Sequence, residues 1–408
     1  MDNPRTAPGS DTLDRWHRAT GAEGEQVQLR PGLPVLWRGP TEVQLGTDPR
    51  WAVVLTDLSP SAALALRSAT PGAPEHELRA AMGREHVPPA EADAILAHLR
   101  SAHLLVEAPA RPHASPDAAA WSLVDPDGSG GRLMARRTDQ VVRVVGLGRL
   151  GGSVATHLAA AGVGTVELED DGRVTPSDVG VGGLGARDVG AARVAATARL
   201  VHDCAATVRT AASRGNRAGR LDLVVLVEED VADPLRYRQL LDDDVPHLSV
   251  VVREASVLVG PLVRPGRSAC LRCVDLHRAD LDPAWPVVAS QLVGRQARRG
   301  VETTLAATGS ALAVSQALAH LDGRPTALSS ASLEIRLPDA LPRRLSWPMH
   351  PACDCVGPPQ RERTGAERAP GARVASTGTS RGQRTKAPAP GGAGAPEQAV
   401  VLSHAPST

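Results

Sequence analysis

Apolar and polar positions alternate over short distances in the first quarter of the chain. The stretches LPVLWRG and EVQLGTD cluster or alternate apolar residues in the way that is typical of two short strands. Three helices are expected next: one with Ser59 as N-cap and Pro60 at its first position, one over APEHELRAAMGREH, and one over PPAEADAILAHLRSAHLLVE that runs into a strand. This order predicts a winged-helix-like module over residues 26–107.

The pattern changes at about residue 138. From there to residue 357, strand-like runs of Val and Leu alternate with Ala-rich helices, which is typical of an α/β domain built on a sheet. Residues 108–137 are rich in Pro, Ala, Gly and Asp and are predicted to be a linker. Residues 1–25 are polar and residues 358–408 have few large apolar side chains, so both ends are predicted to be disordered.

Composition excludes some classes of partner. The chain has 408 residues, with 45 Lys and Arg against 45 Asp and Glu, so no net field attracts it to nucleic acid or to an acidic membrane. No stretch approaches the ~18 uninterrupted apolar residues of a membrane-spanning helix, and the first residues contain no apolar run. We therefore expect a soluble cytoplasmic protein. Lys386 is the only lysine, so a basic contact to phosphate would have to come from arginine.

A glycine-rich loop begins the predicted α/β domain. VVRVVGLGRLGGSVATHLAAAG has the order strand, GxGxxG, helix, and its glycines are Gly146, Gly148 and Gly151. Such glycines permit a tight turn, backbone approach to phosphate and close packing of helix on strand. The next strand ends in GTVELEDD, where Asp170 is placed to accept from ribose hydroxyls. The pattern predicts a nucleotide-binding fold; the alternatives are a turn that binds nothing and a nicotinamide site.

Two cysteine pairs predict a metal site. Four thiolates at Cys270, Cys273, Cys353 and Cys355 can close a tetrahedral Zn²⁺ site, and because protein would fill every position the zinc would be structural. Disulfides are the alternative, but a chain without a secretion signal is expected among reduced thiols. Cys204 is the fifth cysteine and is interpreted as a small buried residue, the alternative being a nucleophile.

Together these features resemble the ThiF/MoeB superfamily of ubiquitin-activating-like adenylyltransferases over residues 139–357. GLGRLGG is similar to the glycine loop of that family, and GVGTVELEDDGRVTPSD is similar to its strand and acidic segment. DVGAARVAATARL is similar to its phosphate-binding helix, and CLRC with CDC is similar to its zinc cysteines. VGPLVRPGRSACLRCVDLHRADLDPAWP, followed by HPACDC, is most similar to ThiF-like partner proteins of thiazole/oxazole-modified (TOMM) peptide biosynthesis. That resemblance implies a winged-helix module that binds the leader of a precursor peptide, a YcaO-family cyclodehydratase as partner, and a homodimer.

The resemblance also implies ATP and Mg²⁺ chemistry, with departures. In an active member, Arg193 would contact the triphosphate. Mg²⁺ would be held by Glu228, Glu229 or Asp230, of which spacing favours Glu229. Here SDVGVGGLG lacks the arginine of the active pattern, Gly172 stands at an aspartate position, and Arg193 stands at a lysine position. The first hypothesis is therefore a peptide-presenting protein with a degenerate ATP site. The alternative is an adenylyltransferase that forms an acyl-adenylate.

Overall fold

The structure is a computed structural model. The chain forms two compact units, and the boundary between them along the sequence lies between Leu133 and Met134. The predictions of disorder for residues 1–25 and 358–408 lie outside the described residues. The described ranges are 27–50, 52–107, 115–125, 128–211, 221–294 and 300–355.

The first unit contains small sheets and short helices. Its elements are β1 (Val27–Leu29), β2 (Val35–Gly39), β3 (Glu42–Leu45), β4 (Val53–Leu55), α1 (Pro60–Arg67), α2 (Glu75–Arg84), α3 (Pro89–Ser101), β5 (Leu105–Glu107) and α4 (Pro116–Val124). β2, β3 and β4 form an antiparallel sheet, and β1 pairs with β5. Ser59 caps α1 by accepting from the Ala62 amide at 3.1 Å. Leu45, Met82, Ile95 and Leu96 lie in its core.

Two helices lie within the predicted linker. α4 begins at Pro116, after a Ser115 side chain that accepts from the Asp117 amide, and α5 spans Gly130–Arg137. The buried Arg30 holds the end of α4, because its guanidinium donates to three backbone carbonyls there, those of Ser122, Leu123 and Asp125. A composition rich in Pro and Ala therefore still forms helices here, and α4 has both a side-chain cap and a proline at its first position.

The second unit is built on a seven-stranded sheet. Its elements are β6 (Val141–Val145), α6 (Arg149–Ala160), β7 (Thr165–Glu169), α7 (Arg193–Cys204), β8 (Leu223–Glu229), α8 (Pro234–Asp242), β9 (His247–Val252), β10 (Ser256–Val263), α9 (Leu271–Leu281), α10 (Trp285–Leu292), α11 (Thr303–Leu321), β11 (Ala331–Arg336) and β12 (Pro342–Ser346). The strand order is β12-β11-β10-β9-β8-β6-β7. β7, β6, β8 and β9 run parallel, and the remaining pairs are antiparallel.

Helices cover both faces of this sheet. Val144, Val225 and Val250 face the side that packs against α6 and α11, whereas Val224 and Leu226 face α8 and α9. Because four strands are parallel, their carboxyl ends meet at one edge, which is where ligands bind in open α/β sheets. The glycine loop after β6, the acidic segment after β7 and the end of β8 all lie at this edge.

The longest helix, α11, packs on α6 through small side chains. Gly309 is buried in it, and a β-carbon there would lie 3.2 Å from the Leu150 side chain, so the two helices approach closely. Asp322 caps the end of α11 and forms a buried bidentate ion pair with Arg137, at 2.9 and 2.7 Å. Of the helices that the structure describes, none has the length and apolar character needed to cross a bilayer.

Candidate nucleotide and metal sites

The glycine loop has the shape that the sequence predicts. Gly146 has φ +85°, and a β-carbon there would lie 2.1 Å from the Val227 carbonyl oxygen of β8. A β-carbon on Gly151 would lie 1.7 Å from the Gly146 carbonyl oxygen. Gly148 is the N-cap of α6, so the free amides of that helix open at the loop. The backbone geometry therefore fits a phosphate.

Asp170 lies beside this loop but is already used by the protein. Its carboxylate accepts from the Leu147 amide at 2.7 Å, from the Gly172 amide at 2.6 Å, and from Arg193 at 3.4 Å. A carboxylate has about four acceptor sites, so roughly one is left for a ribose hydroxyl. Gly172 suits this arrangement, because a β-carbon there would lie 2.9 Å from Asp170 Oδ1 and 3.1 Å from Arg193 Nη1. An aspartate at this position would require these two side chains to shift.

Arg193 is bound to a second carboxylate that sequence reasoning missed. Asp178 accepts from Arg193 Nη2 at 2.9 Å and from Arg193 Nε at 3.1 Å, while its Oδ2 also accepts from the Thr175 amide at 2.7 Å. Asp178 is buried, and its Oδ1 lies only 3.2 Å from where a β-carbon on Gly148 would stand. The predicted triphosphate arginine is thus engaged with two carboxylates, and one of them borders the phosphate cradle.

The cleft next to the loop is strongly acidic. It has a volume of about 470 Å³, and β8 and α10 contribute apolar walls through Val227, Leu292 and Val293. Among the described residues two arginines line it, Arg193 and Arg236, and the second is 3.7 Å from Asp233. The six carboxylates of the described residues that line the cleft are Glu169, Asp170, Asp171, Glu228, Glu229 and Asp233. In this described lining, acidic side chains outnumber basic ones.

Glu228 and Glu229 both reach this cleft from the end of β8. Glu229, the residue favoured by spacing for Mg²⁺, is exposed. Glu228 is half-buried, accepts from the Asp233 amide at 3.3 Å, and burial raises the pKa of its carboxyl to about 7. Spacing along the strand does not reveal burial, so the sequence could not single out Glu228.

The raised pKa of Glu228 predicts a pH-dependent stability. The folded state holds this proton up to about pH 7, whereas the unfolded carboxyl loses it near its ordinary value of 4.5, so the stabilisation present at low pH is lost as pH rises from 4.5 to 7. We expect the wild type to lose about 3 kcal/mol of unfolding free energy relative to Glu228→Gln over this range. Urea unfolding of both proteins between pH 4.5 and 8 measures this difference. Glu229→Gln, which removes an exposed carboxylate, is the control. If the wild type lost as much unfolding free energy relative to Glu229→Gln as it does relative to Glu228→Gln, burial of Glu228 would not be the cause.

The four predicted cysteines come together at the start of α9 in the second unit. Cys270 begins α9, and its sulfur lies 3.9 Å from that of Cys273 and 3.6 Å from that of Cys353. The sulfurs of Cys273 and Cys355 are 3.4 Å apart. Four sulfurs at about 2.3 Å from a tetrahedral Zn²⁺ would be about 3.8 Å apart, so this cluster could hold a zinc ion.

A hydrogen-bonded group of side chains supports the second cysteine pair. His350 Nδ1 accepts from the Ala352 amide at 3.1 Å, so its Nε2 carries the proton and donates to Asp280 at 2.9 Å. The His350 carbonyl accepts from the Cys353 amide at 2.9 Å, and the His277 ring packs edge-on against His350. The ligand atoms of His277, Asp280 and His350 lie within 4.8 Å of one another. Their hydrogen bonds assign them to holding the loop before Cys353.

Cys204 differs from the prediction that it is buried. It is exposed at the end of α7, apart from the four clustered cysteines. The residue is the last of a helix whose buried residues are Ala196, Thr197 and Val201. Helical periodicity puts position 204 on the same side as Thr197 and Val201, so its exposure comes from its place at the end of the helix.

Comparison with known proteins agrees with this geometry. A family model described as the ThiF family matches residues 117–355, which is more than half of the chain. The crystal structure of E. coli MccB with MccA-N7isoASN has a TM-score of 0.58 and 14% identity, covering 81% of this chain and 99% of that chain. The crystal structure of E. coli MccB with ATP has a TM-score of 0.57 and 14% identity, covering 81% of this chain and 100% of that chain. The crystal structure of selenomethionine-labelled PaaA has a TM-score of 0.58 and 16% identity, covering 77% of this chain and 98% of that chain. No curated protein matches.

The fold, the glycine loop and the cysteine cluster therefore agree with a family model that spans most of the second unit. The structural neighbours share the mixed α/β fold at low identity, and this fold has a parallel-rich sheet of the adenylyltransferase type. This chain belongs to the ThiF family, within the ThiF/MoeB superfamily and close in fold to MccB.

Proposed function

We propose that this protein binds the leader of a precursor peptide through residues 26–107 and presents it to a YcaO-family cyclodehydratase. In this proposal the nucleotide site is degenerate and the zinc site is structural. The observation that carries it is the bidentate pair of Arg193 with Asp178 at the border of the glycine loop. The pair occupies the basic residue on which adenylation would depend.

Electrostatics argues against efficient adenylation in this cleft. Acceleration requires groups aimed at the charge that develops on the transferring phosphate. Arg193 is engaged by Asp178 and Asp170, and Arg236 lies near Asp233. Freeing either arginine for a triphosphate would leave carboxylates beside that polyanion. Within the described lining of the cleft, preorganised positive charge is therefore weak where the reaction needs it.

The first unit offers an edge for peptide binding. β2 is an edge strand of the three-stranded sheet, and β3 is its one partner among the described strands. Leu36 and Trp37 on this strand are 36% and 59% exposed, so the edge presents two large apolar side chains. An extended peptide can add to such an edge through its backbone and place side chains against the exposed ones. E. coli MccB, which has a similar fold, has been crystallised with MccA.

The second candidate function is ATP-dependent adenylation of a carboxylate. It is favoured by the intact glycine loop and by the similar fold of E. coli MccB, crystallised with ATP. In that case Gly148 and the α6 amides would bind phosphate, Arg193 would leave Asp178, and Glu229 would contact Mg²⁺. The substrate carboxylate would attack the α-phosphate and release pyrophosphate.

Two measurements on the full chain distinguish these functions, using a cognate precursor peptide that is labelled with fluorescein. We expect fluorescence anisotropy to show peptide binding, and ATP·Mg²⁺ should leave the affinity unchanged. Trp37→Ala should weaken the binding ~tenfold, since an aromatic side chain that becomes buried on binding contributes about that much. Leu235→Ala, an exposed apolar residue of the second unit, is the control. We also expect no isotope exchange between pyrophosphate and ATP. Precursor-dependent exchange that Arg193→Ala abolishes would establish the adenylyltransferase instead.

A further inference from the structure

Two arginines lie at the carboxyl edge of the sheet, near the acid-lined cleft. Arg253 directly follows β9, and its amide closes the β9–β10 turn by donating to the Ser256 carbonyl at 2.8 Å. Strand alternation puts Arg253 on the same face as Val251, whose register partner on β8 is Glu228. Arg278 lies on α9, which covers this face. The two arginines therefore lie on the same face of the sheet as Glu228, which lines the cleft.

Two indoles hold the Arg278 side chain in place. Its guanidinium carbon lies 5.0 Å from the ring centre of Trp285 and 5.7 Å from that of Trp347. Both rings are fixed by their own hydrogen bonds, from Trp285 Nε1 to Asp275 at 3.2 Å and from Trp347 Nε1 to Ser332 at 3.0 Å. The guanidinium is thus preorganised, and little side-chain entropy would be lost when it binds a ligand.

The charge around this guanidinium is incompletely balanced. Arg278 is 20% exposed and lies 3.7 Å from Asp275, which is beyond hydrogen-bond distance. Burial, followed by the charge of Arg253, lowers the pKa of Arg278 to about 10, so it stays protonated at neutral pH. Glu334 also acts on Arg278 but pairs with Arg336 at 3.8 Å. Within the described part of the chain, no carboxylate lies within ion-pair distance of Arg253. Among the described residues, the charges that act on Arg278 are those of Arg253, Asp275 and Glu334, and Glu334 is shared with Arg336.

We propose that Arg253 and Arg278 form a subsite for the carboxylate of a bound peptide, either an acidic side chain or the C-terminus. That the ligand is a peptide rests on the proposed function, whereas that the group bound is a carboxylate rests on the two arginines. A planar carboxylate matches the guanidinium fork, and its single charge balances the cluster. The adjoining cleft would repel a larger polyanion. α10, which begins at Trp285, exposes Val287 and Val288, and this apolar surface suits a peptide better than an inorganic anion.

The test uses the full chain labelled with 5-fluorotryptophan, with fluorine signals assigned by single Trp→Phe variants. Acetyl-Ala-Glu-Ala-amide probes an acidic side chain, acetyl-Ala-Ala-Ala with a free C-terminus probes a terminal carboxylate, and acetyl-Ala-Gln-Ala-amide is the uncharged control. We expect saturable shifts of the Trp285 and Trp347 signals with at least one carboxylate peptide. Arg253→Gln should weaken this binding ~tenfold or more, as loss of a charged hydrogen bond does. Arg187→Gln, which changes an arginine whose side chain is 76% exposed, should not.

Three results would overturn this subsite: no saturable shift with either carboxylate peptide, an equal response to the glutamine peptide, or unchanged binding in Arg253→Gln. These short probes contain no leader sequence. Failure of leader binding to residues 26–107 would therefore leave this measurement unaffected, and a failure here would leave the leader measurement unaffected.

Discussion

Purified in reducing buffer, the protein is expected to carry one zinc ion per chain, and Cys353→Ser is expected to remove it and unfold the second unit. Burial raises the pKa of the Cys270 thiol, and raises that of Cys355 to about 12, so the packed thiols need a cation to be held as thiolates. Binding of structural zinc contributes about 10–16 kcal/mol in small zinc domains, and three thiolates cannot close the site. Elemental analysis and circular dichroism measure the two effects.

The chain provides its own control for this experiment. Cys204→Ser changes the one cysteine outside the cluster, an exposed one, and should leave both zinc content and melting temperature as they are. Less than 0.1 zinc per chain in the wild type, with all four clustered thiols open to titration in the native protein, would contradict a structural zinc site. Retention of full zinc and full stability in Cys353→Ser would contradict this ligand set.

Local sequence patterns predicted the parts of the site that depend on nearby residues. The GxGxxG loop, its strand, its helix and Asp170 lie within one βαβ segment, and each cysteine pair spans only a few residues. Such features are encoded by spacing, because turn geometry and metal geometry both require residues at fixed short separations. The α/β class followed from the alternation of apolar runs in the same way.

Contacts between distant segments were beyond the reach of the sequence. Asp178 meets Arg193 only because a short 3₁₀ helix (Pro176–Asp178) folds back against α7, and the chain between them has no periodicity that signals it. Burial of Glu228 depends on α8, which follows it in the chain and packs on the sheet. Helices in the predicted linker were missed because composition outweighed the Ser115 cap and the alanines of α4. In each case packing, rather than local preference, decides the outcome.

Asp178→Asn is expected to raise the affinity for ATP·Mg²⁺ ~tenfold or more, if the carboxylate is what disables the cleft. Asparagine can still accept from the Thr175 amide, so the 3₁₀ turn is retained, but the negative charge beside Gly148 is removed. Arg193 then loses its bidentate partner and can turn to phosphate. Removal of one charge about 5 Å from a phosphate, at an effective dielectric of about 20, is worth more than the 1.4 kcal/mol of a tenfold change. Titration calorimetry measures the affinity.

Asp188→Asn is a closely matched control for this change. Asp188 ends the other 3₁₀ turn, accepts from the Gly185 amide at 2.8 Å, and pairs with Arg199 of α7 at 2.9 Å, as Asp178 does with Arg193. Both variants lose an ion pair and should lose similar stability, but only Asp178 borders the glycine loop. An affinity that rises equally in both variants, or in neither, would show that Asp178 does not disable the cleft. Pyrophosphate exchange should stay absent even in Asp178→Asn, because six carboxylates would still line the cleft and the segment SDVGVGGLG would still lack the arginine of the active pattern.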